Sequence, residues 1–183
     1  MIVALLLSLM GLMSWRVLES MTRSQGILRA RGDALEETQF FFNQWQRDCQ
    51  AMAPAHQWRD GVPVVLGADR MAWLVQESDG LHRIAYVLVN GALRRIDSGA
   101  YSDRGTWLAD WQTLAQGGSP TGQVTALTVP GVVGFQARLW AGANGWSVAP
   151  PVAPGVLVRG LEMDLALQGT PWPLRQVCLT GQD

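Results

Sequence analysis

The first 15 residues, MIVALLLSLMGLMSW, carry no charge, and 12 of them are apolar. Such a run gains free energy only by leaving water, for lipid or for another apolar surface. A helix needs roughly 20 apolar residues to cross a hydrocarbon core, so this run alone is short for a span and has the length of an export signal's apolar region. The flanks of an export signal are missing, since no basic stretch precedes the run and no small-residue cleavage pattern follows it. Arg16-Val17-Leu18-Glu19 continues a helical pattern instead. From Arg16 to Met52 there is no proline, the only glycines are Gly26 and Gly32, and good helix formers abound. The sequence therefore predicts one helix, stopped at Ala53-Pro54. A helix of about 52 residues is about 80 Å long, so half of it is expected to stand clear of a compact domain.

Within that stretch Leu35, Thr38, Phe42, Trp45, Cys49 and Met52 recur at steps of three and four, which places them on one stripe. Leu35, Phe42, Trp45 and Met52 are accordingly expected to form the core between helix and domain. Glu36, Glu37, Asn43, Arg47 and Asp48 lie elsewhere on the circumference. Phe40, Phe41 and Phe42 cover more than one face, so Phe40 and Phe41 are candidates for a partner contact, weighed against a wholly buried cluster. The positive and negative charges of the stretch cancel, which is not the pattern of a cationic helix lying on anionic lipid.

Length and charge constrain the remainder. The 183 residues suit one domain with an extension. The net charge of −1 with 16% charged residues excludes a polyelectrolyte or a nucleic-acid binder held by excess basic charge. All 14 basic residues are Arg, which removes any lysine-dependent chemistry. After a polar connection at residues 56–61 the periodicity changes to two, predicting strands at 62–66, 72–76, 83–89 and 92–96. Asp79-Gly80 and Asn90-Gly91 are dipeptides favoured in two-residue hairpin turns. A short helix is expected at 106–115, with Trp107, Leu108, Trp111 and Leu114 on one face. Strands follow at 123–129, 134–140, 156–167 and 174–180.

No residue set announces chemistry. Cys49, His56, His82 and Cys178 lack metal-ligand spacing, the Asp residues form no calcium loop, and neither metal nor other cofactor is expected. Ser78-Asp79-Gly80-Leu81-His82 holds triad residue types, but adjacency in a hairpin does not orient a triad, and His82 is expected exposed or at an edge. No enzyme signature is present. Trp73, Trp107, Trp111, Trp140, Trp146 and Trp172 form no stacking motif and are assigned to the core or its edges. Cys49, near the helix end, and Cys178, in the last strand, are either disulfide-bonded or two buried thiols.

The segments VALLLSLMGLMSWRVLESMTRSQ, FFFNQWQRDCQAM, LHRIAYVLVNGALRRID and VLVRGLEMDLAL resemble the minor pseudopilin J (PulJ) family of type II secretion systems, within the type IV pilin-like superfamily. The likeness covers the helix, one hairpin and the last strands, and is loose from about residue 98 to 154. It implies an α+β fold in which a long hydrophobic-then-amphipathic N-terminal helix packs on antiparallel sheets. It divides the chain into a membrane-anchoring half-helix, 1–18, an amphipathic half, 19–53, and a periplasmic β-rich domain, 54–183. Ile2, Val3, Leu5, Leu6, Leu9, Gly11 and Leu12 would serve as inner-membrane anchor and as helix-packing surface in a filament.

The same resemblance implies a single-pass inner-membrane protein at or near the pseudopilus tip, with other pseudopilins or minor pilins as partners in a hetero-oligomeric complex. Exported proteins are candidate cargo contacts and nucleic acid is not expected. The family's precursors begin with a basic leader, a glycine, a phenylalanine and, a few residues on, a glutamate. Met1-Ile2-Val3 aligns just beyond that glutamate, so roughly five further mature residues are expected ahead of Met1, enough to complete a membrane span. If Met1 is the true start, leader cleavage, N-methylation and the glutamate's registering contact are absent. The competing readings are a minor pilin of a type IV pilus, for adhesion, motility or DNA uptake, and a secreted enzyme or binding domain behind an export signal.

Overall fold

A computed structural model of the chain describes residues 2–54, 64–141, 145–148 and 157–180. Helix α1 runs Ile2–Gln50, and the chain divides into two compact units, Met1–Gln39 and Phe40–Asp183. In the first unit Trp15, Leu18 and Met21 are exposed, Thr22 donates to the Leu18 carbonyl at 3.0 Å, and Glu19 pairs with Arg23 one turn on at 3.7 Å. Among the described residues no helix is long and apolar enough to cross a membrane. The side chains of Ile2, Val3, Leu5, Leu6, Leu9, Gly11, Leu12 and Leu35 lie outside the described ones, as do residues 55–63 with His56.

The second unit begins with the last turns of α1. Strands β1 (Val64–Leu66), β2 (Arg70–Glu77), β3 (Gly80–Val89), β4 (Ala92–Ala100) and β5 (Gln123–Pro130) form an antiparallel sheet in chain order. Helix α2 (Arg104–Ala115) is inserted between β4 and β5. A second sheet has the order β7-β6-β8-β9, from β6 (Val132–Ala141), β7 (Trp146–Ser147), β8 (Val158–Leu167) and β9 (Leu174–Leu179). The two-residue β7 is too short to leave a periodic signal and was not expected from the sequence.

Asn90 and Gly91, at φ 51° and 72°, form the turn their dipeptide favours, with Val89 paired to Ala92. The preceding turn departs from expectation. Glu77 pairs with Gly80, so Ser78 and Asp79 are its central residues, and Gly80 takes the positive φ of 145° just after them. Pro130, with no N–H to donate, ends edge strand β5. Gly131, at φ 71°, then turns the chain into β6, and this corner is pinned by Val132 N–H to Gly91 O at 2.9 Å and Gln168 N–H to Gly131 O at 2.7 Å.

One core runs through the unit. Phe41, Trp45 and Cys49 of α1, with Met52 just beyond its end, join Met71, Trp73, Ile84, Tyr86 and Leu93 of the first sheet and Leu139, Leu161, Met163, Leu165 and Cys178 of the second. Tyr86 stacks on Trp73 at 5.5 Å and meets Phe41 edge-on at 5.4 Å. On the sheet's other side Trp107, Trp111 and Leu114 form the buried face of α2. Asp103 caps that helix by accepting from the Thr106 N–H at 2.9 Å. Arg83, which alternates with Ile84 and so points the other way, donates to Asp110 of α2 at 2.5 Å and to the Thr121 carbonyl, while the Tyr101 hydroxyl donates to Asp110.

Candidate functional site

The chemistry of the second unit concentrates where α1 ends. Gln50 is the last helical residue, and Ala51 to Ala53 then lie along β2, with Gln76 N–H to Ala51 O at 3.0 Å, Ala53 N–H to Leu74 O at 2.8 Å and Met52 paired with Val75. One turn earlier, Asp48 is buried with only 4% exposure. Its Oδ2 accepts from the Tyr86 hydroxyl and from Arg95 Nε, both at 2.6 Å, and its Oδ1 accepts from Arg95 Nη2 at 3.0 Å and Gln44 Nε2 at 2.7 Å. The Asp48 carbonyl accepts from the Trp73 indole at 2.9 Å. A buried carboxylate is tolerated only when its lone pairs and charge are met, and here a two-pronged guanidinium, a phenol and an amide meet them.

The electrostatics follow from that geometry. Burial raises the Tyr86 pKa well above the usual phenol value, and the negative charge of Asp48 adds to the effect. Burial works against the charge of Arg95, but its hydrogen bonds and attraction to Asp48 outweigh burial and raise its pKa further. The network continues from Arg95 to Asp97 Oδ2 at 3.4 Å, and from Asp97 Oδ1 to His82 Nδ1 at 3.0 Å and the Gly99 N–H at 2.8 Å. His82 Nε2 faces Asp79 Oδ1 at 2.9 Å. Beside this chain lies an open hollow of about 390 Å³ lined by His82, Asp97, Ser98, Gly99, Gly122, Gln123 and Thr125.

Glu77, His82 and Asp97 can each place one ligand atom within 4.8 Å of the others, the single such group among the described residues. Both ring nitrogens already face carboxylate oxygens at hydrogen-bond distance, however, so the geometry is that of an ion-paired imidazolium. His82, expected exposed or at an edge, is buried because β4 and the Ser78-Asp79 turn close over its ring.

Next to Asp48, Cys49 forms a disulfide with Cys178 of β9, with 6.5 Å between their Cα atoms. The last turn of α1 is therefore tied to the first sheet through residue 48 and to the second through residue 49. Trp45 and Met52 are buried, at 0% and 5% exposure. The phase of the aromatic stripe differs from that read in the sequence. Phe41, a candidate partner contact, is 1% exposed against Tyr86, whereas Phe42, assigned to the core, is half-buried at its margin. Three consecutive phenylalanines leave the phase open, and the four-residue step from Phe41 to Trp45 decides it. Phe40 is 57% exposed and remains available for contact.

Asp48, Tyr86 and Arg95 were not singled out from the sequence. Phe41, Trp45, Asp48 and Met52 follow steps of four, three and four, so a stripe read without regard to polarity includes Asp48. Likewise Leu93, Arg95 and Asp97 alternate on one face of β4.

The outer face of the second sheet has a different character. Arg138 donates to Glu162 at 2.8 Å, and Arg175 pairs with Asp164 at 2.8 Å and Glu162 at 3.6 Å. Alongside lie Trp146, Val177 and Leu179, all exposed, with Trp140 and Trp146 rings 6.0 Å apart. Trp172, in the β8–β9 turn, is 78% exposed, so two of the tryptophans assigned to core or edge reach solvent.

No protein-family model and no curated protein matches the sequence. Among solved structures the chain is similar to a chain of the GspK-GspI-GspJ complex from the type 2 secretion system of enterotoxigenic Escherichia coli. The TM-score is 0.52 at 12% identity, covering 80% of this chain and 97% of that one. The fold is thus a mixed helix and antiparallel-sheet fold of the kind found in that complex.

Proposed function

We propose that the chain is a minor pseudopilin of a type II secretion system, of the J kind, acting near the tip of the periplasmic pseudopilus. The reading rests on the likeness of its fold, over 97% of that chain, to a member of a complex of three pseudopilins. The sequence adds the uncharged apolar run of residues 1–15, which in this reading anchors the subunit in the inner membrane and packs against neighbouring helices in the filament. The Cys49–Cys178 disulfide suits a domain exposed to an oxidising compartment, since reducing cytosol keeps thiols free. In this role the protein is a structural and interaction subunit rather than an enzyme. Its partners are other pseudopilins, with exported proteins as transient contacts.

Deleting the gene tests the proposal. Expected is a loss of protein secretion with surface pili intact, restored by the gene in trans, and co-purification of the full chain with other pseudopilins from solubilised inner membrane. Loss of pili with secretion intact would transfer the protein to a type IV pilus. Mass spectrometry of membrane-isolated protein lacking residues 1–15 would show an export signal instead of an anchor.

A further inference from the structure

The two contacts of the His82 ring set a chemical condition. An ionised carboxylate only accepts hydrogen bonds, so Asp97 at 3.0 Å from Nδ1 and Asp79 at 2.9 Å from Nε2 are both bonded only when both ring nitrogens carry protons. The neutral ring satisfies one carboxylate and turns a lone pair toward the other. With its side chain 8% exposed, His82 has little water to replace the lost partner.

The charged groups around this ring come from two strands, a turn and a helix. Glu77 ends β2, Asp79 is in the turn, and Asp97 on β4 is backed by Arg95, which is shared with Asp48 of α1. Across the hollow β5 contributes Gln123 and Thr125, neither of which titrates. Three carboxylates thus converge on one imidazole, and the cation behind Asp97 is already engaged by a second acid.

We propose that His82 is a proton-operated clamp: when charged it holds the Ser78-Asp79 turn to the end of β4, and on losing its proton it keeps one of the two carboxylates, releases the other, and leaves Arg95, shared with Asp48, as the cation beside Asp97. The device ties the ambient pH to the grip on the foot of α1, and it stands independently of the proposed place in a pseudopilus.

The direction of the pH dependence follows from the two partners. Burial disfavours the charged ring, but the hydrogen bonds to Asp97 and Asp79, with their charges, outweigh it and hold the His82 pKa above 6.5. Burial likewise disfavours ionised Asp97, but the His82 and Gly99 hydrogen bonds and the Arg95 charge hold its pKa below 3.8. The His82 contribution to stability is full below the unfolded value of 6.5 and is lost as pH rises through the raised folded value. The Asp97 contribution is full above 3.8 and is lost as pH falls through the lowered folded value. The clamp is closed between these limits and opens on the alkaline side by losing the imidazolium proton.

The test uses the full chain with His56→Gln, which leaves His82 as the single histidine. Its ring nitrogens are titrated by NMR, and thermal unfolding is followed from about pH 6 to about pH 9. Expected is a midpoint above 6.5 that moves down toward it in Asp97→Asn and Asp79→Asn, together with a melting temperature that falls over this range and does so less in His82→Gln. Asp79 is 62% exposed on a turn, so Asp79→Asn keeps the test open if Asp97→Asn fails to fold. A midpoint at or below 6.5, or one that neither Asn variant moves, would overturn the proposal. So would equal pH dependence of melting with and without His82. Stabilisation by added Zn²⁺, reversed by EDTA and absent in His82→Gln, would also overturn it by showing that a metal takes the proton's place.

Discussion

Asp48 and Cys49 are neighbours on the last turn of α1, yet they bind it to different sheets by different physics. Asp48 grips β3 and β4 through Tyr86 and Arg95, whereas Cys49 is joined to β9 by a covalent bond. The first tie exists only in the folded geometry, because its strength depends on exclusion of water around well-aimed donors. The second persists in the unfolded chain, where it joins positions separated by 129 in the sequence and so restricts the denatured ensemble. The helix end is thus held by one bond that specifies its position and another that resists its loss.

Breaking the first tie is expected to have the larger effect. Asp48→Ala leaves the Arg95 guanidinium buried without its main acceptor and the Tyr86 hydroxyl without a partner, a loss of about 3–5 kcal/mol in denaturant unfolding. Removing both charges as Asp48→Ala with Arg95→Met recovers part of that loss, since the burden lies in the orphaned charge more than in the missing attraction. An Asp48→Ala protein within about 1 kcal/mol of wild type would show that water reaches the pair, and the contrast between the two ties would collapse.

Replacing Cys49 and Cys178 by serine is expected to lower stability by about 2–4 kcal/mol while leaving the Asp48 grip in place. The comparison is sharpened by where the loss is felt. Amide exchange is expected to accelerate in β9, an edge strand, more than in β3 or β4, which are paired on both sides. Uniform acceleration across both sheets would mean that the bond supports the whole unit rather than one junction.

How much of this was legible follows from what each signal encodes. The meander, the Asn90-Gly91 turn and the apolar face of α2 are set by local periodicity and turn chemistry, and they fall where the sequence placed them. The turn after Glu77 shifted by one residue because cross-strand pairing of Glu77 with Gly80 overrode the dipeptide preference for Asp79-Gly80. Asp48 and Arg95 escaped because hydrophobic pattern reading assigns charged residues to solvent, and 47 residues separate partners whose meeting depends on tertiary packing. The burial of His82 escaped as well, because its partner Asp97 is brought to it by the pairing of β3 with β4. Period and composition pointed to Trp45 and Met52 but not to Phe41 over Phe42, and the polar network written through the core left no such signal.

The smallest expected effect isolates burial as the variable. Arg175 resembles Arg95 in having two carboxylates within reach, Asp164 at 2.8 Å and Glu162 at 3.6 Å, against Asp48 and Asp97 for Arg95. Arg175 also donates two parallel hydrogen bonds to Asp164, so its geometry is no poorer. Its side chain is 57% exposed where that of Arg95 is 7% exposed. The Arg175 guanidinium is open to water and its removal uncovers Asp164, 12% exposed beneath it, so water replaces the lost partner, salt screens their attraction, and ordering the long arginine side chain offsets what remains. Arg175→Ala is therefore expected to leave the melting temperature unresolved from wild type at physiological salt, even though Glu162 then keeps Arg138 as its one close cation among the described residues. A loss approaching that of Asp48→Ala would mean that the outer face of the second sheet is shielded from water in the protein as it exists in solution, and an unshielded ion-pair ladder could then no longer serve as the contrast to the buried one.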